Sequence, residues 1–202
     1  MSKTKIISVL LLGPVFWLTY LLYDSINSKI ELTRTIKQSE ARVIEKLKVI
    51  REAEKAFAEV NGNYTANWDS LIAFVKDGEM PIVEKKEKVI PRKRDDPDYY
   101  KGDIIEVTYD TIGREPVMGK VFPKETYGTI NPDDLPYIPG TDRKMFDIFA
   151  AKVEKGGLMV NVIEVVDKHP MDPTRNDSHP SRVRWFLRFG SKTEPRINGN
   201  WE

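Results

Sequence analysis

The chain has 202 residues, with 32 Lys and Arg against 31 Asp and Glu, a formal net charge of +1 and no Cys. That balance leaves no global field of the kind that draws a protein to nucleic acid, so no nucleic-acid partner is expected. The missing thiols exclude disulfides and thiolate chemistry, and they suit an extracytoplasmic domain.

Residues 1–5 form a short tail carrying Lys3 and Lys5. From Ile6 to Tyr23 no residue is charged. As a helix this run would span about 27 Å, close to the ~30 Å hydrocarbon core of a bilayer. Trp17, Tyr20 and Tyr23 cluster in its second half, where aromatic rings suit a membrane interface. Pro14 is expected to kink or loosen the helix. No small-x-small cleavage site follows, so residues 6–23 read as a retained single-pass anchor rather than a removed signal peptide. Lys3 and Lys5 favour a cytoplasmic N-terminus, Lys29, Arg34 and Lys37 oppose it from the other side, and the shortness of the tail selects N-in. The protein is then expected in the cytoplasmic (inner) membrane with its C-terminal domain in the periplasm.

Residues 24–42 read as a helical stalk. Residues 24–28 form a polar hinge, after which Ser28-x-x-Glu31 fits a capping box that would restart a helix; alternatively the membrane helix runs straight through. Further on, Ile36, Val43, Ile50 and Phe57 recur seven apart, with Leu47, Ala53, Ala56 and Val60 filling one face. Over 43–60 this stripe is expected to pack on its own domain. A coiled coil over 26–60 is the alternative, although Glu40 and Glu54 fall where a strict seam wants apolar residues. The more polar stretch 26–40 is a candidate partner surface. Gly62 is placed to stop the helix.

A second helix is expected over 68–76, capped by Asn67 and ended by Gly78. Residues 81–103 are charged and punctuated by proline, which suggests a solvated loop around a short strand at 89–90. Arg92, Lys93 and Arg94 there could form an anion patch, but Asp95, Asp96 and Asp98 offset them. Strands are expected over 104–109, 117–122, 145–153, 158–166 and 183–189, which are rich in β-branched and aromatic residues. Gly113 separates the first pair, and Lys155-Gly156-Gly157 makes a hairpin turn between the third and fourth. The expected fold class is α+β: a transmembrane helix, then a long amphipathic helix packed on an antiparallel sheet, with the soluble domain over 43–202.

Residues that carry chemistry are sparse. There is no Gly-x-Ser-x-Gly, no phosphate-cradling glycine loop and no His-Glu-x-x-His, so no catalytic or cofactor-binding residue is assigned. The two histidines, His169 and His179, flank a proline-rich loop containing Asp172 and Asp177. These four are the candidate metal ligands, but their spacing matches no standard zinc or calcium pattern and a surface loop is the plainer reading. Asn131-Pro132-Asp133-Asp134 reads as a turn with a minor potential for calcium. Three tripeptides, beginning at Asp24, Asp69 and Asp110, resemble the Asp-Ser/Thr-aliphatic O-glycosylation sites of some Bacteroidota; each equally suits a helix cap or a strand edge.

One segment carries a resemblance. The run from Ala53 through Ala56, Phe57, Asn61, Gly62 and Tyr64 to Leu71 resembles the end of the long N-terminal helix in type IV pilins and type II secretion pseudopilins. There an Ala-rich helix with an aromatic leads into an Asn-Gly-x-Tyr loop. The resemblance covers about residues 43–75 and implies a pilin-like order of elements. No acidic residue lies within 6–23, whereas pilins dock neighbours through one, and no prepilin peptidase site precedes the apolar run. The ending Arg196-Ile197-Asn198-Gly199-Asn200-Trp201-Glu202, with Phe189-Gly190-Ser191 before it, resembles uncharacterised anchored envelope proteins of Bacteroidota. Together these imply a non-enzymatic, membrane-anchored subunit of an envelope complex of the secretion or motility kind. It would act through protein–protein contacts, including with copies of itself. The competing readings are a coiled-coil homo-oligomer and an anchored hydrolase or metal- or glycan-binding module using the 169–179 loop.

Overall fold

The computed structural model describes residues 3–92 and 99–202, with side chains from residue 13 on apart from Tyr99. The chain is α+β, and one element dominates it. Helix α1, Lys3–Asn61, is a single α-helix of 59 residues, about 90 Å long at 1.5 Å per residue. It passes Pro14 without ending, and no hinge forms at 24–28. Ser28 does not cap a new helix; its hydroxyl bonds back to the Ser25 carbonyl at 3.2 Å. Thr33 and Thr35 do the same to Lys29 and Glu31. The hydroxyls thus satisfy themselves on the existing turns and do not compete with them.

The stripe seen in the sequence is buried from residue 43 onward. Val43, Leu47, Ile50, Ala53 and Ala56 are all in the core. Val60, expected on the same face, is exposed, because the helix ends one residue later. Gly62 takes φ +75 and its N–H returns to the Ala58 carbonyl at 2.8 Å, the left-handed termination expected of it. Helix α2, Trp68–Asp77, starts on the Asn67 side chain, which accepts from the N–H groups of Asp69 and Ser70. Leu71 and Val75 carry its buried face. Gly78 ends α2 but with an extended backbone. A side chain there would sit 2.3 Å from the Phe74 carbonyl, so close approach rather than handedness selects glycine.

Two antiparallel sheets follow. Strand β1, Glu79–Ile90, pairs along its whole length with β2, Ile104–Pro116. The first part of the expected loop over 81–103, residues 81–90, is therefore one strand of a long two-stranded ribbon. Gly113 lies within the ladder opposite Ile82, beside a bulge, and makes no turn. The basic patch considered at 92–94 falls largely on 93–98, outside the described residues. The strand expected over 117–122 is instead a short helix, α3, Val117–Val121. Pro116 cannot extend a ladder, and the Val117 N–H turns to the Gly78 carbonyl at 3.0 Å. This packs Val117 against Ala56 and Met80. A further helical turn, α4, Lys124–Tyr127, and a 3-10 turn at Pro132–Asp134 complete this side.

The second sheet has the order β3-β4-β5, with β3 at Asp147–Lys155, β4 at Leu158–Val166 and β5 at Arg188–Gly190. Lys155 pairs with Leu158, and Gly156 and Gly157 both have positive φ, so the predicted tight hairpin is present. Central β4 is buried from Val162 through Val166. The strand expected over 183–189 is reduced to its last residues, because the Val183 and Trp185 carbonyls accept from the Arg175 guanidinium and not from a ladder. Ile163 and Val165 of β4, Leu187, Phe189, Leu71, Val75 and the α1 stripe form one core.

Among the described residues, no helix is long and apolar enough to cross a membrane. The first part of the anchor expected over 6–23, residues 6–12, lies outside the residues whose side chains are described. Leu47→Ala is expected to lower stability by about 2–5 kcal/mol, whereas Val60→Ala should stay within about 0.5 kcal/mol. Denaturant unfolding of the full chain in mild detergent checks both.

Candidate functional site

The loop holding both histidines does not gather them around an ion. Among the described residues, no group of three or more His, Cys, Asp or Glu side chains is placed to hold a metal. Asp172, Asp177 and His179 each have another partner. Asp172 Oδ1 accepts from the Thr174 N–H (2.9 Å) and hydroxyl (2.8 Å), and Oδ2 faces Arg184 at 3.4 Å. Asp177 pairs with Arg188. His179 Nδ1 accepts from the Ser181 N–H at 3.0 Å, and its carbonyl accepts from the Trp185 indole at 2.8 Å. The His169 N–H donates to Asp167 at 2.8 Å. Burial pushes Asp172 up, but the Thr174 donors and then Arg184 and Arg175 outweigh it and hold the carboxyl below its ordinary value. Asp167 goes the other way, raised by burial against the His169 hydrogen bond.

What the loop does instead is grip α1. Arg175 pairs with both carboxylate oxygens of Glu40: Nε with Oε1, and Nη2 with Oε2 at 3.0 Å. Its Nη1 donates to the Val183 and Trp185 carbonyls at 2.8 and 2.9 Å. Four of the five guanidinium N–H groups are thereby engaged, in a planar, two-pronged contact that a lysine could not reproduce. Both partners are mostly out of solvent, so the pair acts with little screening. A cleft of about 480 Å³ opens beside it, lined on α1 by Thr33, Ile36 and Lys37 and on the loop by Asp172, Val183 and Arg184. It lies where the helix leaves the domain.

The helix-exit residues also come together. Ala56 is buried with Met80 and Val117. Phe57 stacks edge-on against Phe74 at 5.2 Å. The Asn61 side chain donates to the Phe57 carbonyl at 3.0 Å, and the Gly62 carbonyl accepts from Asn161 of β4 at 2.7 Å. Tyr64 packs against the core that buries Leu71. Beneath this turn lies Glu54, one of the two acids that interrupt the heptad. It is buried, with Oε2 accepting from the Thr65 N–H at 3.1 Å and Oε1 without a hydrogen-bond partner among the described residues. Burial raises its pKa to about 8, against the Thr65 hydrogen bond.

The segment 196–202 closes the far side. Phe189 bridges to Gly199, and Asn200 exchanges bonds with the Arg188 backbone and reaches the Arg182 and Phe186 carbonyls. Gly199 leaves room for the Trp201 ring, which packs on the core. Glu202 accepts from Arg51 of α1 at 2.7 Å, and that hydrogen bond leads the causes that lower its pKa. Asn131-Pro132-Asp133-Asp134 is the expected turn, with Asn131 capping Asp133 and Asp133 paired with Lys76.

The stalk surface 26–40 is open. Ile26, Ile30 and Leu32 are exposed, and a groove of about 610 Å³ runs beside Lys29, Ile30, Thr33, Arg34 and Lys37. A groove on one helix encloses nothing small, so it offers a contact face rather than a ligand chamber.

Comparison of the chain with family models, curated proteins and solved structures gives no match.

Arg175→Met is expected to cost on the order of 3 kcal/mol, because it leaves Glu40 half-buried without its partner. Adding Glu40→Gln should recover part of that loss, and a double-mutant cycle on thermal unfolding measures it. For Glu54 the folded-state value near 8 lies above the ordinary 4.5. The folded chain keeps a proton that the unfolded chain has released. Its contribution to stability is therefore complete below pH about 4.5, falls as pH rises toward about 8, and is flat beyond. Glu54→Gln should abolish that slope and stabilise the protein at pH 8 by on the order of 2 kcal/mol. Denaturant midpoints between pH 5 and 8.5 read the effect.

Proposed function

We propose that the protein is a non-enzymatic, single-pass, membrane-anchored subunit of a bacterial envelope complex, pilin- or pseudopilin-like in plan, that works through protein–protein contacts. The observation that carries this reading is the asymmetry of α1. From Val43 on, its apolar side chains are covered by the domain. Before that, Val15, Phe16, Trp17, Leu18, Tyr20, Leu21, Leu22, Tyr23 and Ile26 stand exposed around the helix. With the uncharged run that precedes them, they make a surface that water disfavours and hydrocarbon accepts. Thr19 folds its hydroxyl onto the Val15 carbonyl at 2.8 Å, which satisfies it in a place without water. The tether would lie in the inner membrane with the domain outside the cytoplasm. The contact face would be 26–40, where Ile26, Ile30 and Leu32 stand exposed among cations and the domain loop closes only over the end at Glu40.

A coiled-coil homo-oligomer keeps one supporting observation, the exposed Ile26 and Ile30. With Val43, Leu47, Ile50 and Ala53 already buried, however, the seam would be limited to the stalk.

In cell fractionation the full chain should stay with membranes after alkaline extraction, and Leu18→Lys with Leu22→Lys should release most of it. A photo-crosslinker at Ile30 should yield discrete protein adducts in cells, while one at Glu154, on the far sheet, should not. A native chain found in the soluble fraction, or no adduct at Ile30, would defeat the proposal.

A further inference from the structure

The β1–β2 ribbon projects from the domain with neither face covered. Only its base touches the core, through Met80. Its register sorts its side chains into two unlike faces. The pairs Val83–Thr111, Lys85–Tyr109, Glu87–Val107 and Val89–Ile105 share one face. The pairs Glu84–Asp110, Lys86–Thr108, Lys88–Glu106 and, at its end, Ile90–Ile104 share the other. The first face is apolar: Val83, Val89, Ile105, Val107 and Tyr109 are 39–68 % exposed. Its only charges, Lys85 and Glu87, pair with each other along the strand. The second face is ionic along its middle, with Lys86 between Glu84 and Asp110, and ends on the exposed Ile90–Ile104 pair.

A two-stranded ribbon of this length is marginal in water unless something packs on its apolar face. The five side chains present on the order of 500 Å² of apolar surface, the upper end of what a monomer shows.

We infer that this face is a self-association surface, on which two copies of the chain pack ribbon to ribbon about a twofold axis near Val107. Three features select a second copy over another occupant. The face carries no net charge, since Lys85 neutralises Glu87 internally, so a strongly charged partner gains nothing there. The apolar residues are spread evenly along the ribbon, so an antiparallel copy meets the same pattern, as a twofold interface requires. Two such faces together bury on the order of 1,000 Å², the lower limit of a specific interface. The charged second face then stays in water on both sides of the pair. This inference is independent of the membrane reading and of any contact at 26–40.

The chain lacks Cys, so single introduced thiols report the geometry cleanly. With the purified full chain in mild detergent, Val107→Cys should oxidise to a disulfide-linked dimer at least about tenfold more readily than Thr108→Cys on the ionic face. Adding Val89→Asp and Ile105→Asp to Val107→Cys should cut that dimer to about a tenth, with circular dichroism and the unfolding midpoint showing that the domain remains folded. Equal crosslinking from the two faces would mean edge-to-edge or chance collision and would overturn the proposal. So would a dimer that survives the two aspartates, the absence of any dimer, or an adduct of Val107→Cys with a different protein in intact membranes.

Discussion

A helix of 59 residues needs more than its own hydrogen bonds to hold a fixed place in a molecule. Here the hold comes from one face of its last third. Val43, Leu47, Ile50 and Ala53 meet Ile163 and Val165 of the central strand, with Leu71 and Val75 of the second helix closing over them. Almost every later element is shaped by that contact. The second helix returns along α1, the short helix at 117–121 covers Ala56, and Glu202 reaches back to Arg51. The apolar core sets how firmly α1 is gripped, and the bidentate Glu40–Arg175 pair sets where the grip ends.

The two acids that spoil the heptad explain each other's presence. An apolar residue at position 40 would leave Arg175 without a carboxylate, and the loop from 169 to 185 would lose its attachment. At position 54, the carboxyl reaches the backbone of the turn after Gly62 and fixes Tyr64 against the helix it has just left. Both positions spend polar groups inside the domain, and both favour packing within one chain over a seam shared between chains. In isolation each looks like a defect in a coiled coil. Together they tie two points of α1, seven residues before Leu47 and seven after it, to the domain.

What could be read from the sequence was local. The Asn67 cap, the Gly62 stop and the Gly156-Gly157 turn each depend on a few adjacent residues, and each stands where expected. The features that escaped depend on distant pairs. Lys85 to Lys88 look like a solvated loop until Tyr109, Thr108, Val107 and Glu106 are placed opposite them, which gives the ribbon one face richer in apolar residues. Val117 to Val121 have strand-like composition, but Pro116 and the Gly78 carbonyl turn them into a helix. The role of Arg175 was hidden for the same reason: its partner lies 135 positions earlier. Read by itself, the loop looks like a surface loop, and nothing within it points to a clamp on α1.

The unbroken course of α1 past residues 24–28 has a mechanical consequence. A stalk joined by a hinge would let the domain swing independently of the start of the helix. A continuous helix gripped from residue 40 onward is a lever, and the stretch from residue 13 to residue 40 gives it an arm of about 40 Å. Any tilt or turn imposed on one end is delivered to the other as rotation of the entire domain, ribbon included.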